Sequence, residues 1–253
     1  MKSHLQTVLL IGTDSTEGYE EVTEGVKPFY NRHQADFLML LVMDAEQNTA
    51  ELLQLNRDTM TDVPWLDVLG KYGGTEYKQL CLAFNYGDGG TASCKNTVNA
   101  VSGLLFDAPI QGYIQIPMSA IPALNDLVGG VPVTMTEDLT MIDPAFVQGA
   151  TVRLTGAQAE AFVRVRSALA DDTNLSRMRR QREYLDSFRQ RANIHNRGVL
   201  LVLGADKKCG DATRIIIIGN LRFRIRQDQC KLFIRINFFV FLIVFNVFSD
   251  SID

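Results

Sequence analysis

The sequence lacks the cysteine and histidine patterns that usually hold zinc. Its cysteines include no CxxC pair and no metal-finger spacing. They are Cys81, Cys94, Cys209 and Cys230. Cys81 and Cys94 flank the segment GDGGTAS, and two alternatives are open for them. They form a disulfide if the protein folds in an oxidising compartment, or they are two free, buried thiols.

An excess of positive charge is also absent. The 253 residues carry a formal net charge of -4, and the sequence pI is near 5.5. Such a protein has no general attraction to nucleic acid, so any anion must be recognised at a concentrated local site. The segments GDGG and GG lack the spacing to Lys and Ser or Thr that phosphate loops have, and we interpret them as turns. The first residues, MKSHLQ, form neither a signal peptide nor a membrane anchor.

Arginine is concentrated in one segment, which runs from Arg164 to Gln181 and reads RVRSALADDTNLSRMRRQ. Just before it, Thr155 and Gln158 have capping-box spacing. This spacing predicts a short helix that carries Arg164 near its end. A second helix is predicted from about Leu175 to Ala192, and the residues between the two helices are predicted as a loop.

The second helix places polar residues on its apolar side. At roughly 100° per residue, one side collects Met178, Tyr184, Leu185, Phe188 and Ala192. Arg177 and Gln181 fall on that same side, whereas Arg179 points to solvent and Arg180 lies at the margin. A buried arginine needs an anionic partner because its charge cannot be neutralised. This partner is either a core carboxylate or, if Arg164 and Arg166 converge on the same place, a phosphate or pyrophosphate group.

Three strands are predicted near the start of the chain, at residues 5–12, 35–44 and 49–56, with the second and third forming a hairpin. The hairpin brings Asp36 close to Arg57 and Asp58. If the first strand runs antiparallel to the second, Asp14 reaches the same edge. Two carboxylates at one edge repel, and a divalent cation is the usual resolution. Asp14 and Asp36 are therefore candidate magnesium ligands, although each alone is also typical of a cap or turn.

The remaining patterns complete a mixed α/β or α+β fold. We predict a covering loop or irregular helix over residues 61–77, a short helix over 78–86 and a helix around 98–105. A strand at 112–117, a helix from Ser119 to Leu127 and a strand at 131–135 follow. The expected architecture is a three-layered sandwich in which helices cover a mixed central sheet. One end is left open for Asp14, Asp36, Arg57 and the arginine segment, beside either an apolar cavity or a closed core.

Several segments together resemble the LytR-CpsA-Psr family of cell-envelope phosphotransferases. In order, they are VLLIGTDS, QADFLMLLVMD, LLQLNRDT, KQLCLAFNYGDGG, NTVNAVSGLLFDAPIQGYIQI, LVGGVPV, LTGAQAEAFVRVR and DDTNLSRMRRQ. The pieces NRDT, GGVPV, LTGAQA with RVR, and RMRRQ carry the resemblance because they occur in the family's order. It spans roughly Leu5 to Ala192.

The resemblance implies an extracytoplasmic enzyme at the membrane surface, normally tethered by a helix before this domain. Such an enzyme transfers a glycopolymer, of the teichoic acid or capsule type, from a polyprenyl-pyrophosphate carrier to peptidoglycan, with Mg²⁺ and no nucleic acid. Asp14 and Asp36 resemble the family's magnesium ligands. The resemblance also implies four catalytic arginines that bind the pyrophosphate, namely Arg57, Arg164, Arg166 and Arg177. Three further residues resemble supporting positions of the family. Asp58 is also placed in the catalytic set, and Arg180 and Gln181 are placed with the pyrophosphate.

The sequence departs from the family's common residues at four places, namely Thr16, Gln34, Asn56 and Asn174. The departures bear on substrate choice more than on the reaction. No anchor is predicted before Leu5. The alternative functions are a regulatory module that binds DNA or a signalling ligand, a carrier that holds the lipid-linked polymer without transferring it, and a pyrophosphate hydrolase.

The resemblance predicts a catalytic domain over residues 1–195 and an atypical hydrophobic and basic tail over 196–253. Within the tail, residues 214–248 shift abruptly toward isoleucine, phenylalanine and arginine. The apolar stretch at 238–248 is shorter than the ~20 residues that a membrane-spanning helix needs. The tail forms strands, associates with a membrane, or is an aberrant product of a shifted reading frame, and we favour the last.

Overall fold

The computed structural model describes residues 5–14, 31, 33–44, 46–47, 49–67, 69–165, 174–194, 202–205, 213–218 and 221–227. The strands are β1 Leu5–Thr13, β2 Ala35–Asp44, β3 Thr49–Leu55, β4 Met60–Leu66, β5 Tyr72–Gln79, β6 Gly112–Pro117, β7 Pro132–Thr134, β8 Thr151–Arg153, β9 Val202–Ala205, β10 Thr213–Ile218 and β11 Leu221–Gln227. The α-helices are α1 Thr91–Leu104, α2 Ile121–Leu127, α3 Gly156–Arg164 and α4 Asn174–Ile194. Short 3-10 turns lie at Leu80–Asn85 and Met118–Ala120.

A mixed sheet forms the centre of the described chain, with seven strands in the order β3-β2-β1-β6-β11-β10-β9. Strands β1 and β6 are parallel, and the other neighbouring pairs are antiparallel. The β2–β3 hairpin and the antiparallel pairing of β1 with β2 confirm the predictions for this part of the chain. At the end of β1, Thr13 lies opposite Ala35. The chain positions that follow, Asp14 and Asp36, therefore lie at one edge.

Helices cover both faces of the sheet around β1, β2 and β6, where strand side chains alternate between two buried clusters. One core cluster joins Leu9, Ile11 and Leu38 of the sheet to the buried side of α1, including Val101. The other lies among α2, α3 and α4 and includes Phe162, Tyr184 and Phe188. The predicted three-layered sandwich is therefore confirmed.

Residues 61–77 were expected to form a covering loop or an irregular helix, and this expectation is wrong. They lie mainly in β4 and β5, which pair antiparallel as a separate two-stranded sheet. Val63 of β4 is fully buried in the core under α1. Trp65 packs over Gly73 so closely that a Cβ there would lie 2.3 Å from the indole ring. Gly73 therefore makes room for Trp65 across a hairpin.

Smaller differences concern the ends of elements. The short helix expected over 78–86 is a 3-10 turn that begins at Leu80, after β5. Ser119 does not cap α2, because α2 begins at Ile121 and its N-cap residue is Ala120. The strand expected at 131–135 is β7, which pairs with β8 outside the central sheet. The capping box of Thr155 and Gln158 at the start of α3 is confirmed.

The predicted boundary at 195/196 lies between α4 and β9 and stays a prediction. Strands β9, β10 and β11 lie beyond it, and β11 pairs antiparallel with β6. The rest of the predicted tail, including 238–248, lies outside the described residues. Within the described ranges, no helix has the length and apolarity to cross a membrane.

Candidate functional site

Asp36 is the centre of the candidate site. It is the second residue of β2, and the turn after β3 carries Arg57 and Asp58. The hairpin brings these residues together as expected, since Arg57 Nη1 forms an ion pair with Asp36 Oδ1. Arg177 Nη1, from the first turns of α4, lies 3.7 Å from the same oxygen. Two arginines from distant parts of the chain thus share one carboxylate oxygen.

Arg57 is held on several sides and is only 5% exposed. Its Nη2 donates to Oε1 of Gln34 and, at 3.1 Å, to Sγ of Cys81. Its Nε lies 3.4 Å from Asp58 Oδ1. These contacts fix the plane of the guanidinium group relative to the sheet edge. The sequence singled out Gln34 only as a departure from the family's common residues and Cys81 only as a possible disulfide partner, and it assigned neither to the site.

Cys81 and Cys94 are buried thiols and no disulfide joins them, which is the second of the two alternatives drawn from the sequence. Burial raises the pKa of the Cys81 thiol, although the neighbouring Arg57 guanidinium acts in the opposite direction. The thiol is therefore protonated at neutral pH. It accepts a hydrogen bond from Arg57 as a neutral group rather than balancing its charge.

Arg177 lies on the inner side of α4, as the helical periodicity indicated. It is 3% exposed, and its Nη2 donates to Oδ1 of Asn174 at 2.7 Å. Gln181, one turn later, is also buried, and its Nε2 donates to the carbonyl of Val163 at 3.4 Å. Arg179 is exposed on the opposite side of the helix. The expected division of the helix into an inner and a solvated side is confirmed.

Arg180 differs from the sequence prediction, because it does not lie at the margin but is 1% exposed. Its Nη1 forms an ion pair with Glu137, and its Nη2 and Nε donate to the carbonyls of Val165 and Phe162. These carbonyls lie at the C-terminal end of α3, where a cation is favoured by the helix dipole. Arg180 therefore joins α4 to the end of α3. The periodicity of α4 alone could not reveal Glu137 or α3 as neighbours.

The two other arginines of the predicted cluster have different positions. The side chain of Arg164 is 40% exposed and pairs with Glu160 at 2.7 Å, one helical turn earlier. Arg166 lies outside the described residues. The convergence of Arg164 and Arg166 with Arg177 on one anion remains a prediction.

Asp14 and Asp36, the candidate magnesium ligands, contact different neighbours. Asp14 Oδ1 accepts a hydrogen bond from the backbone N–H of Gln34 at 2.8 Å and lies 3.6 Å from His33 Nδ1. Both arginine contacts of Asp36 use Oδ1. In the described ranges, no cluster of three or more acidic, histidine or cysteine side chains has metal-binding geometry. Magnesium binding by Asp14 and Asp36 therefore remains a prediction, in which the ion would take its other ligands from phosphate and water.

An apolar cavity of about 130 Å³ lies between the sheet and helices α2, α3 and α4. Gln181 supplies a polar side chain to a lining that is otherwise apolar, with Leu10, Leu124 and Leu185 among its members. Gly12 and Phe37 also line it, and these residues stand beside the site in the chain, just before Asp14 and just after Asp36. Gln181 lies one helical turn after Arg177 on the same side of α4, so this wall of the cavity continues toward the arginine pair. Of the two sequence alternatives, a closed core is ruled out at this place.

Comparisons with known proteins show to which family the chain is similar. Residues 2–214 match the LytR_cpsA_psr family, past the predicted boundary at 195. The polyisoprenyl-teichoic acid–peptidoglycan teichoic acid transferase TagU of Bacillus cereus is 29% identical over 165 residues, which are 65% of this chain and 46% of that protein. TagU of Bacillus licheniformis is 26% identical over 212 residues, 83% of this chain and 57% of that protein. The chain thus spans about half the length of these curated relatives.

Solved structures share the fold. The Lin1025 protein of Listeria innocua aligns with a TM-score of 0.51 and 26% identity, over 75% of this chain and 66% of that one. TagT of Bacillus subtilis aligns with a TM-score of 0.55 and 24% identity, also over 75% of this chain and 66% of that one. The family match covers most of the sequence, including every residue of the candidate site. The chain therefore belongs to the LytR-CpsA-Psr family.

Proposed function

We propose that this protein transfers a phosphate-linked glycopolymer from a polyprenyl-pyrophosphate carrier to peptidoglycan. The observation that carries the proposal is the pairing of the buried Arg57 and Arg177 on one oxygen of Asp36, next to an apolar cavity. A diphosphate with a lipid tail needs these two environments side by side. The related TagU proteins are named teichoic acid transferases, which makes teichoic acid the first polymer to test and a capsule polymer the second.

The arginines would bind the diphosphate and stabilise its charge as the bond to phosphorus breaks. Each guanidinium offers a planar fork of donors that matches phosphate oxygens. Because Arg57 and Arg177 are almost fully buried, their field is weakly screened and acts strongly on charge that develops nearby. They are also held in place before substrate binds, by Asp36 and by Asn174. Little reorganisation would be required during the reaction.

The transfer breaks the phosphoanhydride bond of the diphosphate and forms a phosphoester bond to peptidoglycan. A sugar hydroxyl of peptidoglycan attacks the phosphorus that carries the glycopolymer, the bond to the second phosphate breaks, and polyprenyl phosphate leaves. The hydroxyl proton needs a nearby carboxylate. Asp58 suits this role better than Asp36, because its side chain is 36% exposed and Asp36 faces two arginines. Magnesium, held by Asp14 and Asp36, would neutralise part of the phosphate charge when bound.

The apolar cavity would hold the first part of the polyprenyl chain. Its lining has no charged side chain, and Gln181 marks the end that leads toward Arg177. Burial raises the pKa of Tyr184 in the cavity wall, so its hydroxyl stays neutral, and it donates to Asn125 Oδ1 at 3.4 Å. A lipid donor of this kind resides in a membrane. We therefore place the reaction at an extracytoplasmic membrane surface, where peptidoglycan is available.

The test is incubation of the protein with a polyprenyl-pyrophosphate-linked oligosaccharide, Mg²⁺ and an uncross-linked peptidoglycan oligosaccharide, with the linked product measured by mass spectrometry. We expect product with the unchanged protein and with Arg179→Ala, which removes an exposed arginine from the same helix. A folded protein that binds the donor but forms no product would be a carrier, and the transferase proposal would be rejected. Release of oligosaccharide phosphate without an acceptor would identify a hydrolase instead. Omission of Mg²⁺ and addition of EDTA test the metal.

A further inference from the structure

The side chains of Asn56 and Asn174 meet across the candidate site. Asn56 immediately precedes Arg57 in the turn after β3, and Asn174 is the first residue of α4. Although they are 118 positions apart in the sequence, Asn174 Nδ2 donates to Asn56 Oδ1 at 2.6 Å. The contact is partly buried and joins the two segments that supply Arg57 and Arg177.

Neighbouring groups fix which end of each amide faces the other. The backbone N–H of Asp58 donates to Asn56 Oδ1 at 2.9 Å, so the oxygen of Asn56 must point into the turn. Nη2 of Arg177 donates to Asn174 Oδ1 at 2.7 Å, so Asn174 must present its nitrogen to Asn56. An arginine offers only donors, and a backbone N–H only donates. Rotation of either amide by 180° would break these contacts.

We propose that Asn56 and Asn174 form a positioning pair, which sets the Arg177 guanidinium relative to the Arg57–Asp58 turn and so shapes the diphosphate site. This inference rests on the proposed function. Neither asparagine is proposed to touch the reacting atoms. The hydrogen bonds run from Arg177 to Asn174, from Asn174 to Asn56, and from the Asp58 amide to Asn56. A shift of α4 would therefore be transmitted to the turn.

If the two asparagines act as a pair, the effect of a change at 174 depends on residue 56, which a purely local role of Asn174 would not produce. Asn174→Asp retains an oxygen for Arg177 but places a second oxygen against Asn56 Oδ1, where only a donor fits. The two oxygens would repel at this distance, and Arg177 would be displaced with residue 174. In an Asn56→Ala background the opposing oxygen is gone. The same aspartate should then be tolerated.

The experiment measures the binding of inorganic pyrophosphate by calorimetry in the full chain, for the unchanged protein, Asn56→Ala, Asn174→Asp and the double variant. We expect Asn174→Asp to weaken binding about tenfold when Asn56 is unchanged, the size of one charge-assisted hydrogen bond. In the Asn56→Ala background we expect a weakening of roughly twofold, from the added negative charge alone. Asn99→Asp makes the same chemical change on the exposed side of α1 and should have no effect. Thermal melting of each protein shows that it is folded.

The outcomes separate the inference from the proposed function. Equal weakening by Asn174→Asp in both backgrounds would overturn the positioning pair. The positioning pair would also be overturned if residues 56 and 174 were coupled in their effect on the melting temperature but not in their effect on pyrophosphate affinity, because the pair would then be only structural. Failure of the folded, unchanged protein to bind pyrophosphate would instead overturn the proposed function, and the inference with it. If Asn174→Asp does not fold, Asn174→Ala is used in its place. The pair is then supported if Asn174→Ala weakens pyrophosphate binding and the double variant with Asn56→Ala binds no more weakly.

Discussion

Replacing Arg177 with alanine should abolish most of the transferase activity while leaving the protein folded. Arg177 Nη1 lies 3.7 Å from Asp36 Oδ1 in a buried place. At an effective dielectric constant near 20, a unit charge pair at this distance interacts by about 4 kcal/mol. A diphosphate that approaches as closely would gain a similar energy per unit charge, and its desolvation would offset part of this gain. A net loss of about 2.7 kcal/mol in transition-state stabilisation corresponds to about a hundredfold lower kcat/KM.

The stability cost of this change should be smaller than the catalytic cost. Asp36 keeps its ion pair with Arg57, so no buried carboxylate is left alone. The hydrogen bond to Asn174 and the contact with Asp36 are lost, relief of the desolvation of a buried guanidinium offsets part of this loss, and the free energy of unfolding should fall by about 2 kcal/mol. Arg179→Ala is the matched control, because Arg179 is an exposed arginine on the same helix.

The assay compares kcat/KM of the two variants with the lipid-linked oligosaccharide as donor, together with urea unfolding of each protein. A loss of less than about threefold for a folded Arg177→Ala protein would refute the electrostatic reasoning, since so small a change is within the range of ordinary surface substitutions. Equal losses for the two variants would show that the effect is one of general charge and not of the buried position.

Three further changes test other parts of the structure. Arg180→Ala should lower the free energy of unfolding by about 3–5 kcal/mol, because it leaves Glu137 without its buried partner. Urea unfolding measures this loss, and the free energy of unfolding should change little for the control Arg179→Ala, which removes an exposed arginine. Leu124→Trp should fill the apolar cavity and raise KM for donors with long lipid chains without changing the affinity for inorganic pyrophosphate, and unchanged KM would place the lipid elsewhere. Folding should become less favourable as pH rises above about 8.5, because burial raises the pKa of Cys81 and the unfolded state then loses this thiol proton first. Chemical unfolding at pH 8 and pH 10 should show a smaller pH dependence for Cys81→Ala, and an equal one would contradict this origin.

Much of the fold followed from local patterns. The apolar runs of β1 and β2 and the short turn before β3 predicted the hairpin that brings Asp36 to Arg57. The helical periodicity of α4 separated Arg177 from Arg179. The prediction for residues 61–77 was wrong because β4 and β5 are set by their pairing with each other and by the packing of Trp65 on Gly73, and neither leaves a clear periodic pattern in the sequence.

The candidate site was predictable in type but not in its contacts. The sequence indicated that a buried Arg177 needs an anionic partner, since a guanidinium cannot lose its charge. It did not show that Arg57 and Arg177 share Asp36 as this partner. Nor did it show that Arg180 is more deeply buried than Arg177 and is paired with Glu137. These partners come from other elements, and their distances depend on how the helices pack on the sheet.

By itself the sequence determined the strand and helix patterns, the concentration of arginine in one segment and the family resemblance, because each depends on residues close together in the chain or on their order. Asn56 and Asn174 were visible only as two separate departures from the family's common residues. The tertiary structure alone decided that they touch, because α4 must pack across the sheet before its first residue can reach the turn after β3. The apolar cavity likewise exists only once three helices and the sheet enclose it.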